Sequence, residues 1–268
     1  MINQPEPVYS YTIPYYTSSQ GDTDEVFVSE KTYAKYLEAL KKEQLFIIFG
    51  ALHPISKEYG DVTTTLVDKE KTIIIIGITD LEEFTSELLD IAIAQELEKV
   101  LLMDKEQFIR FLYKEDVEDT IKIFVDDMQQ TLEEIHISKR LKKEGYRISE
   151  REHLVATDIF ENAVQWSSLR TVSPYENEHA LFLLTKLYYL AHIDEELLRQ
   201  YKNHFHKHYP RLLREAENLL HLTKKLNIST QKGREKALTK IFTKLNYLQH
   251  VRKMSINELS PFSLAIRH

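Results

Sequence analysis

The hydrophobic pattern changes period near residue 80. Before it, apolar residues alternate or run in short blocks; after it they recur at three and four residues, which predicts strands first and helices afterwards. Val8–Tyr16 alternates loosely between Pro5, Pro7 and Pro14, and Ser18–Asp24 reads as a loop. Ser29 is placed to cap a helix to about Glu43, with Tyr33, Tyr36, Leu37 and Leu40 on one face. Leu45–Phe49 predicts a short buried strand. Val62–Val67 and Thr72–Ile78 flank the polar Asp68–Lys71 and predict a hairpin. The run Ile73–Ile76 predicts a strand covered on both faces.

Beyond the hairpin, polar start signals precede helical stripes. Thr79–Glu82 is a capping box opening a helix to about Met103, and Asp104–Gln107 signals a short helix. Val117, Ile121, Phe124, Met128, Leu132 and Ile135 form one stripe of a helix from Asp116 to Lys143, closed by Lys139, Arg140, Lys142, Lys143 and then Gly145. Ser149–Glu152 predicts another helix, to about Arg170, and Ser173-Pro174-Tyr175-Glu176 a further one. Asp194 and Pro210 open two more; the Pro210 helix is expected to bury Leu213, Ala216, Leu220 and Thr223. After a break at Asn227–Thr230, a last helix is expected from about Gln231 to Met254, with Ala237, Ile241, Leu245 and Leu248 inward. The fold class expected is mainly α (α+β). A small N-terminal α/β portion with a short hairpin, residues 1–104, precedes an antiparallel helical bundle with basic C-terminal helices, residues 105–268.

Composition narrows the chemistry. Six glycines leave little room for a many-stranded sheet with tight turns, and neither G-x-G-x-x-G nor G-x-x-x-x-G-K-[ST] occurs, which argues against a nucleotide-binding loop. With no cysteine there is no disulfide, thiolate metal site or thiol nucleophile. No cofactor is called for. The N-terminus has no basic and apolar leader, and the runs Leu45–Leu52 and Ile73–Ile78 fall far short of the roughly 20 residues that span a bilayer. A cytoplasmic protein without membrane contact is the expectation.

Charge then divides the chain. The total is −7, yet residues 199–268 hold 15 Lys and Arg against four acids, a net +11, and residues 1–198 carry −18. Such asymmetry points to an anionic partner. In the last helix Lys232, Lys236, Lys240 and Lys244 recur every fourth residue, so they drift by about 40° per step and cover one flank. With Lys224, Lys225 and Arg234 they form a candidate nucleic-acid-binding set, since phosphate affinity sums over cations that face one way. The ordinary alternative is that these lysines are the solvated side of an amphipathic helix and offset the acidic part.

Other spacings suggest other chemistry. Arg199-Gln-Tyr-Lys-Asn-His204 resembles the Arg-x4-His motif of HEPN-type ribonucleases, helical bundles that often dimerise. The resemblance implies a phosphate-binding Arg199 and an acid/base His204, although Gln200 stands where that family has Asn, Asp or His. His204 and His208, spaced i, i+4, could share a metal with His192, Asp194 or Glu195. The helix through Gln95, Glu96 and Lys99 faintly resembles the His-Glu-x-x-His helix of zinc peptidases; Gln95 and Lys99 replace both histidines and contradict peptidase chemistry.

The expected function is that of a non-catalytic regulatory or accessory protein, binding nucleic acid or an acidic protein through its basic helices. The alternatives are the HEPN-like ribonuclease and a protein-binding adaptor whose oppositely charged parts attract within or between subunits, which would make a homo-oligomer.

Overall fold

A computed structural model describes residues 8–17, 23–41, 44–49, 63–68, 71–76, 85–104, 109–114, 116–163, 175 and 178–254. The protein is mainly helical with a small N-terminal sheet of mixed strands. It divides into two compact units, one built on residues up to Glu106 and the other on Gln107–Ser255.

The first unit contains β1 (Tyr9–Thr17), β2 (Thr23–Ser29), α1 (Glu30–Leu40), β3 (Gln44–Phe49), β4 (Thr63–Asp68), β5 (Lys71–Ile76) and α2 (Ser86–Asp104). The expected hairpin forms, with Asp68 opposite Lys71 and Thr63 opposite Ile76. The sheet is larger than the scarcity of glycine suggested: its five strands run in the order β2-β1-β3-β5-β4. Pairings β1/β3 and β3/β5 are parallel, and antiparallel partners lie at both edges. The parallel neighbours β1 and β3 are joined through β2 and α1, so that pairing needs no tight glycine turn. Alternate residues Ile13, Tyr15, Val26, Val28, Leu45, Ile47, Ile74 and Ile76 are buried together with Tyr36 and Ala39 of α1 and Leu89, Ile93 and Leu97 of α2. Ser29 caps α1 as expected, and its own amide and hydroxyl donate to Asp90 Oδ1 and Oδ2 at 2.7 and 2.8 Å. Asp90 is buried, and desolvation raises its pKa against the opposing effect of these bonds.

The second unit contains β6 (Phe111–Tyr113), α3 (Asp119–Lys143), α4 (Ile148–Ala163), α5 (Glu178–Ile193), α6 (Glu195–Phe205), α7 (Pro210–Thr223), α8 (Gln231–Lys244), a 3₁₀ turn (Leu248–His250) and β7 (Val251–Lys253). The stripe Val117, Ile121, Phe124, Met128, Leu132 and Ile135 is buried throughout, and α3 packs against α4, α5 and α8. Gly145 has φ 89°, the left-handed conformation that ends a helix cheaply only with glycine. Asp194 caps α6, accepting from the Leu197 amide at 2.9 Å.

Several expectations are corrected. Ser149 and Glu152 lie inside α4 rather than forming its cap, because Glu152 is buried and held by Lys186 and Tyr189. The buried stripe of α7 is Leu212, Ala216, Leu219 and Thr223; Leu213 and Leu220 flank it. The last helix stops at Lys244 instead of Met254. Asn246 takes φ 60°, and the chain turns so that β7 can pair with β6. Leu248 is therefore 39% exposed rather than core. That pairing also explains why the segment after Asp104, expected to be helical, is a strand at Phe111–Tyr113. The start signals Thr79–Glu82 and Ser173-Pro174 lie outside the described residues, as do 105–108.

Candidate polyanion-binding face

The basic face begins at the turn between α7 and α8. The Asn227 carbonyl accepts from the Thr230 amide at 3.1 Å and its hydroxyl at 2.9 Å, and Thr230 Oγ1 in turn accepts from the Gly233 amide at 3.1 Å, capping α8. A Cβ on Gly233 would stand 1.7 Å from the Asn227 oxygen, so this tight entry requires glycine. Once entered, α8 buries Gly233, Arg234, Ala237, Leu238, Ile241 and Phe242. Phe242 meets Phe111 edge-on at 5.3 Å and Phe124 at 6.4 Å, which fixes the rotation of the helix.

That rotation decides which cations are available. Lys232, Lys236, Lys240 and Lys244 are all exposed, as are Lys224 and Lys225 just after α7. Lys240 Nζ lies 3.5 Å from the Leu222 carbonyl, which brings the row on α8 to the C-terminal end of α7. Among the described residues, none of these six lysines has a carboxylate within ion-pair distance; the neighbouring Glu235 is held by Lys253 at 2.7 Å. From Lys232 to Lys244 the row is about 18 Å long at 1.5 Å per residue.

Arg234 does not belong to this face. It is 2% exposed, its Nη1 donates to the Ile228 carbonyl at 3.2 Å, and burial lowers its pKa while Glu133 opposes that shift. Its position between Gly233 and the buried Ala237 turns it inward, a fact that charge counting cannot register. Conversely, the exposed Arg211 and Arg214 of α7 were not singled out by sequence spacing, because they follow no regular row.

The remaining candidates are dispersed. Arg199 is exposed and paired with Glu196, one turn earlier on α6. The His204 ring stacks on Phe160 at 4.6 Å and 21°. His208 lies beyond the end of α6 at Phe205, so the i, i+4 helical geometry proposed for a metal pair does not form. Among the described residues, no group of three or more His, Cys, Asp or Glu side chains is arranged to hold a metal. On α2, Glu96 is buried and accepts from Lys99 at 2.7 Å, so the position that matched the peptidase helix is engaged in an ion pair. Among the described residues, no helix is long and apolar enough to cross a membrane.

Compared with family models, curated proteins and solved structures, the chain matches none.

Proposed function

We propose that the protein is a non-catalytic regulatory or accessory factor that binds nucleic acid or another polyanion through the exposed lysines that follow α7 and line α8. The observation that supports this reading is the set of six exposed lysines with no carboxylate partner among the described residues. Solvated ammonium groups with no carboxylate beside them keep their charge available, and their joint engagement releases counterions from a phosphate backbone. Nothing in this arrangement supplies a nucleophile or a positioned acid and base, so the face would hold its partner rather than transform it.

The test is the salt dependence of binding to single- and double-stranded oligonucleotides. If the four lysines of α8 each engage a phosphate, log K should fall against log salt with a slope of about −3.6 on duplex and about −2.8 on single strands. Replacing Lys236, Lys240 and Lys244 with Gln should reduce that slope by about 2.7 on duplex and about 2.1 on single strands, and replacing them with Glu should remove binding. Retention of both nucleic acids unchanged by Glu at all three positions would reject the reading.

A further inference from the structure

A second group of basic side chains gathers on one region of the helical unit, and none of them belongs to the exposed row. On α3, His136, Lys139, Arg140 and Lys143 occupy positions i, i+3, i+4 and i+7, a single stripe. Arg234 reaches the same region from α8, and His192 from α5; both helices pack against α3. Exposure is graded along the stripe. His136 is 6% exposed, Lys139 and Arg140 are half-buried, and Lys143 is at the surface.

The bottom of the stripe is the unusual part. Both ring nitrogens of His136 are buried and neither has a hydrogen-bond partner; His192 Nε2 is in the same state. A buried polar group without a partner is uncommon in a native fold and calls for an explanation, of which a bound ion is one. The surroundings indicate the sign of that ion. His136 is held down to about 4 by burial, then by Arg234, Arg140, Lys139 and Lys143. His192 is held to about 4 by burial and by Lys139, and Lys139 itself is lowered by burial and by Lys143. The nearby carboxylate Glu133 is engaged by Arg110 at 2.8 Å. Burial is the first cause for all three groups, and the positive charges around them push each further toward its neutral form, a field that an anion would relieve.

We propose that this centre binds a phosphate dianion, free or as the terminal group of a small phosphorylated molecule, with His136 and Arg140 as its inner contacts and Lys139 at its mouth. A neutral imidazole donates one hydrogen bond, and beside a dianion it gains a proton and donates from both nitrogens. Arginine adds planar, paired donors suited to phosphate oxygens. Phosphodiester backbones carry a single charge per unit and no terminal group, so the centre is expected to prefer the monoester.

The test follows the histidine ring nitrogens by long-range ¹H–¹⁵N NMR while inorganic phosphate is titrated into the full chain at constant ionic strength set with chloride. The expected result is a saturable change at His136, with its titration moving up from about 4 toward neutrality as phosphate binds. Lys139→Gln, at a half-buried position, should weaken phosphate about tenfold. The triple Gln variant of Lys236, Lys240 and Lys244 should leave phosphate binding unchanged, which separates this centre from the nucleic-acid face. An oligonucleotide lacking terminal phosphate should not shift His136; if it does and inorganic phosphate does not, the assignment to a dianion is overturned. It is also overturned if His136 shows no saturable response to phosphate, or if Lys139→Gln binds phosphate as tightly as the parent.

Discussion

Arg234 and Lys236 stand two residues apart on α8 with the same formal charge, one 2% exposed and the other in solvent. Around Lys236 the dielectric of water reduces an interaction with another unit charge at 4 Å to about 1 kcal/mol, whereas inside the unit the same charge acts several-fold more strongly. The two cations therefore do different work. The exposed one is available to a passing polyanion and costs little to remove. The buried one shapes the potential felt by His136 and is tied to the Ile228 carbonyl. A net charge of +11 for residues 199–268 combines both kinds and so overstates the surface.

The contrast between buried and exposed charge can be tested, starting where the largest effect is expected. Glu152 and Lys186 form a buried ion pair in which Tyr189 also donates to the carboxylate, at 3.3 Å. Glu152→Leu leaves Lys186 uncompensated and should cost about 3–5 kcal/mol in urea unfolding at neutral pH, while adding Lys186→Met should recover much of the loss. Burial alone would raise the Glu152 pKa, but Lys186 and Arg151 bring it below the ordinary 4.5. Its stabilising contribution is therefore complete above pH 4.5 and is lost as the pH falls through the lower, folded value.

His136 should show an intermediate effect with its own pH signature. Its folded pKa of about 4 lies below the ordinary 6.5, so above about pH 7.5 it is neutral in both folded and unfolded chains and contributes almost nothing. As the pH falls below 6.5 the unfolded chain takes up the proton first, and stability declines until the folded chain is protonated near 4. A shift of this size corresponds to about 3 kcal/mol over that window. His136→Leu should flatten this part of the stability–pH curve measured in phosphate-free buffer. An unchanged curve would mean that the imidazole is not desolvated as described.

The smallest effect belongs to the exposed row. Each of Lys236→Gln, Lys240→Gln and Lys244→Gln should change stability by less than about 0.5 kcal/mol, because a solvated ammonium without a carboxylate partner has little folded-state energy to lose, and the 3.5 Å contact of Lys240 with the Leu222 carbonyl is exposed. A loss above about 1 kcal/mol for any one of them would show that the row is packed rather than solvated, and would weaken the proposed binding role together with the distinction between Lys236 and Arg234.

Much of the architecture was legible in the sequence because it rests on local chemistry. Ser29, Asp194 and Pro210 marked helix starts through capping and fixed φ, and Gly145 marked an end through its left-handed backbone. The hairpin at Asp68–Lys71 and the apolar stripe of α3 followed from period alone. The errors arose where a distant partner outweighed the local signal. Ser149 and Glu152 have the spacing of a capping box, yet Lys186 and Tyr189, more than thirty residues away, recruit Glu152 into the core. Residues 245–254 continue an apparently helical pattern, but pairing with Phe111–Tyr113 draws Val251–Lys253 into a strand.

The candidate site divides in the same manner. That four lysines of α8 share a flank was determined by the sequence, because a four-residue repeat on a helix of 3.6 residues per turn admits no other arrangement. Whether that flank faced water depended on Phe242 meeting Phe111 and Phe124, contacts between residues more than a hundred positions apart. The removal of Arg234 from the surface, and its convergence with His136 and Arg140, likewise came only with tertiary packing. Burial and electrostatic environment belong to the assembled helices, and no residue carries them in its own name.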